Sequence, residues 1–235
     1  KGRVYFGPVL DERTLQRHPF YPDAPAQSAR IPMIIGNTRG ETRSLIGRGD
    51  PTTFDLTWDR LAERLSGEMR VDIDPQHVVN EYRRLYPDSS PGDVFFAATT
   101  AARSWRGALI ELEARARQGA PTYAYQLDFG PSVDGGKWGA FHGLDIPLVF
   151  GNLDRAGSFT GTTERARRVS EAMSDAFVAL ARDGVPRVPG GPDWATYELE
   201  RRATMVFDDP PRLVHDPRGA ERRIFDKVPF IQQGT

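Results

Sequence analysis

Proton-transfer chemistry in this chain falls first to its four histidines, at positions 18, 77, 142 and 215, because imidazole changes charge near neutral pH. His142 stands apart by context. It lies in Gly139-Ala140-Phe141-His142-Gly143-Leu144-Asp145-Ile146-Pro147, a glycine-flanked loop after a strand-like segment and before an apolar run. Its simplest role is a backbone hydrogen bond, and its functional role would be a general base. His18, in Arg17-His18-Pro19, and His215, in His215-Asp216-Pro217, read as turn residues. His77 sits in the first turn of a helix opened by Asp74-Pro75, where a positive imidazole is disfavoured, so helix surface is the expected setting. The second candidate is Glu41, in Gly36-Asn37-Thr38-Arg39-Gly40-Glu41-Thr42, just beyond the apolar run Ile31-Pro32-Met33-Ile34-Ile35. Loops at the ends of buried strands are where open α/β sheets carry functional residues. Alone, such a glutamate reads as a solvated loop acid. Paired with His142, 101 residues further on, it would fix the imidazole tautomer and stabilise the imidazolium that forms. His142 and Asp145 could also be read as two metal ligands, but a site needs three or four and no others are near. No metal and no cofactor is therefore expected.

A nucleophile to match this pair is missing. The chain has no Gly-x-Ser-x-Gly, and the nearest likeness, Gly130-Pro131-Ser132-Val133-Asp134, lacks the final glycine and leads into no helix. Gly135-Gly136 and Gly190-Gly191 fit no phosphate-loop or dinucleotide pattern. With no cysteine, a thiol nucleophile, a disulfide and Cys-ligated zinc are excluded. The 31 basic residues balance 32 acidic ones, and the 28 arginines are scattered among acids. This gives no field for nucleic acid or an anionic membrane. No apolar run approaches the roughly 20 residues of a membrane span, so the chain reads as soluble, in a bacterial cytoplasm or secreted. Lys1 to Gly7 resembles neither a translation start nor a signal peptide, and the chain reads as part of something longer.

Positioning these loops requires strands and helices in alternation. The run 31–37 predicts a strand buried on both faces. Phe54, Trp58, Leu61 and Leu65 predict one helix stopped by Gly67. Asp74-Pro75 opens a helix through Val78, Val79, Tyr82 and Leu85. A third, from about Asp93 to Gln118, places Phe95, Ala98, Ala102, Trp105, Leu109 and Leu112 on one face. Thr122 to Phe129 predicts the second strand, Thr163 to Arg182 a fourth helix, and Thr204 to Phe207 a short third strand before a charged tail. The class is α/β. Three strands cannot cover these helices, so an exposed apolar face and strand partners supplied from elsewhere are expected.

Four segments in order resemble the type-B carboxylesterase family, which includes para-nitrobenzyl esterases and cholinesterases. They are Phe6-Gly7-Pro8-Val9-Leu10-Asp11; Pro32 to Glu41; Trp138 to Phe150; and Phe177 to Gly184 with Pro192-Asp193-Trp194 and Met205 to Asp208. The resemblance spans essentially all of residues 1–235, as the C-terminal portion of one α/β-hydrolase domain. It implies that Glu41 is the acid and His142 the general base of a serine esterase's catalytic triad, in the acid-then-histidine order of α/β-hydrolases. Asp145 would be structural support. Gly40 departs from the family, where many members carry an acid. The nucleophilic serine and the oxyanion glycines would lie in an N-terminal half absent here, which becomes the implied partner alongside a small carboxylic ester substrate. The family's cell-adhesion members make a non-catalytic binding module the alternative. A helical ligand-binding domain would explain the helices but neither strand–loop site.

Overall fold

A computed structural model describes residues 9–229, so Phe6, Gly7 and Pro8 of the first family-like segment lie outside the described residues. Four strands form one sheet in the order β1-β2-β3-β4. They are β1 (Met33–Thr38), β2 (Thr122–Leu127), β3 (Ala203–Phe207) and β4 (Arg212–His215). The first three run parallel, with Met33 opposite Thr122 and Ala124 opposite Thr204, whereas β4 is antiparallel to β3. Every residue of β3 is buried, as expected for a parallel strand covered on both faces.

Among the described residues, eight α-helices surround the sheet. Between β1 and β2 come α1 (Glu41–Leu45), α2 (Trp58–Ser66), α3 (Pro75–Leu85), α4 (Pro91–Thr100) and α5 (Arg106–Arg117), the last two joined through a π-helical segment, Ala101–Trp105. Between β2 and β3 lie α6 (Asp145–Val149) and α7 (Glu164–Asp183), and α8 (Gly219–Phe225) follows β4. Local chemistry sets their ends. The Asp74 carboxylate accepts from the Gln76 and His77 amides ahead of Pro75, Ser90 caps α4 in the same way, and Gly184 takes the left-handed conformation, φ 77°, that closes α7.

The two faces of the sheet hold separate apolar cores. One joins Leu61, Leu65, Tyr82, Phe95 and Trp105 to Ile35 and Ala124 of the sheet. The other joins Leu144, Leu148 and Met173 to Tyr123, Leu127 and Phe207. The alternation along β2, with Tyr123 and Leu127 on one side and Ala124 on the other, follows from the two-residue period of a strand.

Four sequence readings need correction. The tail after β3 contains β4 and α8, because a half-exposed edge strand carries no apolar run to mark it and tolerates charge. His215 therefore ends a strand and does not sit in a turn. Phe54 belongs to a separate 3₁₀ turn, Pro51–Asp55, since Leu56 is extended and breaks the helix. The third helix starts earlier than expected, at Pro91, and widens at Ala101–Trp105, while its predicted apolar residues all enter the first core. Among the described residues β1 pairs only with β2. No helix among them is long and apolar enough to cross a membrane.

Candidate functional site

Because β1 and β2 are parallel, the loops following both emerge at the same end of the sheet. Glu41 begins α1 three positions after β1 ends, and His142 lies in the loop between β2 and α6. The two loops are joined directly: the Gly40 amide donates to the Ala140 carbonyl at 2.8 Å, and Gly40 and Phe141 form an isolated parallel bridge. A Cβ at Gly40 would come within 3.1 Å of the Ala140 carbonyl oxygen, so glycine suits this close crossing. Arg43, the third residue of α1, donates to the Lys137 carbonyl at 2.8 Å and pairs with Asp93.

The Glu41 carboxylate is buried and uses both oxygens. Oε1 accepts from the Thr38 amide at 2.8 Å, and Oε2 faces His142 Nδ1 at 2.5 Å. An ionised carboxylate only accepts, so Nδ1 carries the hydrogen and Nε2 of neutral His142 is left with its lone pair. The His142 side chain is 57% exposed against 7% for Glu41. The acid is thus enclosed and held, and the imidazole is open to whatever lies above it. A neutral imidazole with its tautomer set in this way can take a proton from a hydroxyl and hold the resulting charge against the carboxylate.

Supporting contacts that the sequence reading missed hold each side of the pair. Thr42, next to Glu41, is buried: its amide and hydroxyl meet the Thr100 hydroxyl at 3.2 and 2.9 Å, and its hydroxyl donates to the Phe96 carbonyl at 2.9 Å. The run Thr99-Thr100 on an otherwise apolar helix was the available signal. Under the histidine loop, Tyr125 donates to Asp145 Oδ2 at 2.7 Å, which ties the first residue of α6 to β2. Burial and the nearby Asp145 and Glu41 charges push the Tyr125 phenol well above its usual range, so it stays a donor. A Cβ at Gly36 would lie 2.2 Å from the Tyr125 ring, so only glycine lets that ring cross β1. Asp145 Oδ2 is engaged by Tyr125. No cluster of His, Asp or Glu among the described residues is arranged to hold a metal ion.

The other sequence candidates lie elsewhere. His18 accepts from the Phe20 amide at 3.3 Å within its own turn, and His77 is on the exposed first turn of α3. Phe141 is buried in the second core. Trp138 packs edge-on against Phe54 and donates to Asp134 at 2.8 Å. A cavity of about 330 Å³ next to the two loops is lined by Arg39, Gly40, Arg43, Gly139 and Ala140, but neither Glu41 nor His142 lines it.

The carboxylesterase family model matches residues 1–224. The para-nitrobenzyl esterase of Bacillus subtilis (strain 168) is 27% identical over 223 residues, covering 94% of this chain and 43% of the relative. The phenmedipham hydrolase of Pseudarthrobacter oxydans is 27% identical over 211 residues, covering 87% of this chain and 40% of that protein. Among solved structures, the Geobacillus stearothermophilus carboxylesterase EST55 superposes with a TM-score of 0.75 at 31% identity, over 94% of this chain and 45% of its own. The chain thus spans less than half the length of these relatives. Its mostly parallel sheet with helices on both faces is that of the α/β-hydrolase carboxylesterases, and the chain belongs to the carboxylesterase family.

Proposed function

We propose that this chain is the C-terminal portion of one serine carboxylesterase domain and supplies the acid, Glu41, and the general base, His142, of its catalytic triad. The observation that carries the reading is the 2.5 Å contact between a buried carboxylate and the Nδ1 of an exposed histidine, at the C-terminal end of a parallel sheet. The nucleophilic serine and the oxyanion donors would come from an N-terminal half, whose nearest strand would pair with the open edge of β1. The substrate class is a small carboxylic ester.

The chemistry proceeds in two halves. His142 Nε2 takes the serine hydroxyl proton as the oxygen bonds to the ester carbonyl carbon. The tetrahedral adduct collapses, the carbon–oxygen bond to the alcohol breaks, and His142 returns the proton to that alcohol. Water then gives its proton to Nε2 and attacks the acyl-serine. The second collapse releases the carboxylic acid, and the proton goes back to the serine. Throughout, Glu41 stabilises the imidazolium without accepting its proton.

A fluorophosphonate probe, which labels activated serines, tests this when the labelled residue of the full-length enzyme is then located by peptide mass mapping. The expected adduct is on a serine outside residues 1–235, lost when His142 is replaced by Gln. An adduct on a serine within residues 1–235, or no adduct in a sample that contains the N-terminal half, overturns the reading.

A further inference from the structure

Arg48, one turn beyond α1, carries its guanidinium into a group of three aromatic rings. Its Cζ lies 5.6 Å from the Trp138 ring centre, 5.5 Å from Phe141 and 5.2 Å from Phe159, all within cation–π range. Phe141 is the residue before His142, so this cation borders the histidine loop. Arg48 is solvent-exposed. Among the described residues it pairs with no acid, although Arg43 on α1, Arg64 on α2 and Arg103 in the π-helical segment all do. A second cation, the exposed Lys137, has its Nζ 4.9 Å from the Trp138 ring. Two acids close to the group in the chain are already engaged: Asp50 pairs with Arg64, and Asp134 accepts from the Trp138 indole.

The clamp is built at a conformational cost. Phe159 adopts φ 54°, a left-handed conformation that a bulky side chain rarely takes. The loop beneath it is fixed by the Ser158 and Thr160 hydroxyls, which both donate to the Leu153 carbonyl, at 2.8 and 3.2 Å. Among the described residues no hydrogen bond uses the Arg48 guanidinium, so its five donors remain free for a bidentate acceptor. A planar anion with two oxygens is the ligand that geometry fits.

We propose that Arg48 is a specificity-determining residue that favours esters bearing a carboxylate, receiving that second charge beside the scissile ester; this rests on the esterase reading above. The test compares monoethyl glutarate with ethyl valerate, esters of equal acyl length that differ in having a terminal carboxylate or methyl group, on the full-length enzyme. For the wild type, kcat/KM for the hemiester should fall as salt rises while that for the neutral ester does not. Arg48→Gln should lower the hemiester-to-neutral ratio of kcat/KM about tenfold or more, chiefly through KM, and Arg48→Lys should restore part of it. An unchanged ratio, an equal loss on both esters, or a salt response shared by both would overturn the role of Arg48 and leave the esterase reading standing. Failure of the fluorophosphonate probe to label any serine would overturn both.

Discussion

Glu41 and Glu221 are both buried carboxylates, 5% and 1% exposed, and both take more than one hydrogen bond, yet they are built for opposite ends. Glu221 on α8 is saturated. It accepts from the Tyr82 and Tyr86 phenols at 2.8 and 2.6 Å and from Arg218 Nε and Nη2 at 3.0 and 2.6 Å, with Arg218 itself 4.3 Å from the Trp105 ring centre. Apart from the half-buried Tyr86, every side chain in that cluster is buried. Glu41 has one fixed donor, the Thr38 amide, and one partner that can change charge, the exposed His142. A permanently paired acid locks α8 against α3, whereas Glu41 faces an accessible ring, the arrangement that the proposed general base requires. Burial of a charge is therefore not evidence of function; an accessible and protonatable partner is the sharper criterion.

The largest expected effect falls on the open pair. In the full-length enzyme, His142→Gln should cut kcat by about 10⁶-fold with little change in melting temperature, by analogy with other triad histidines. Glu41→Gln should cost on the order of 10⁴-fold. Its carbonyl can still accept from Thr38, but an amide facing Nδ1 donates and forces the wrong tautomer. A Glu41→Gln enzyme with normal turnover would place Glu41 with Glu221 as a structural acid.

The closed pair should respond in stability. Glu221→Gln leaves Arg218 buried without its counter-charge, and a loss of about 3–5 kcal/mol in urea or thermal unfolding is expected, without the loss of turnover expected for Glu41→Gln. The pH response sharpens the contrast. Burial alone would raise the Glu221 carboxyl, but the Arg218 charge and the tyrosine hydrogen bonds outweigh it and hold the carboxyl at about 2 against an ordinary 4.5. A depressed folded-state value means that this contribution is complete above about 4.5 and is lost as pH falls toward 2. Wild-type stability should therefore drop between pH 5 and 2 more steeply than that of Glu221→Gln, and parallel curves would refute the assignment. The smallest effect is expected at Tyr125→Phe. Removing the donor to Asp145 should cost about 1–3 kcal/mol and lower turnover modestly through the histidine loop, read as a fall in kcat at near-constant KM.

Much of the architecture was legible because it rests on local chemistry. Asp74-Pro75, Gly67, Gly184 and the apolar period of α5 mark helix ends and faces that depend on nearby residues only, and the runs 31–37 and 122–129 mark strands buried on both sides. β4 and α8 were not legible. β4 is a short, charged edge strand stabilised by pairing to β3 over a full register, and α8 is held by Glu221 reaching Tyr82, 139 residues away. Neither signal exists within a sequence window.

Glu41 and His142 were nameable from their loops and from the family resemblance, since residue type, flanking glycines and position after a strand are properties of the chain itself. Their separation of 2.5 Å was not. It depends on the parallel pairing of β1 with β2, on the Gly40–Ala140 hydrogen bond, and on Tyr125 and the Thr42–Thr100 contact fixing the elements behind each loop. The same holds for Arg48, one exposed arginine among 28 in sequence, which only the folded chain places against Trp138, Phe141 and Phe159. A sequence specifies which groups are available and how each segment prefers to fold; distances between groups a hundred residues apart are decided by packing, where hydrogen bonds and close contacts admit a single arrangement.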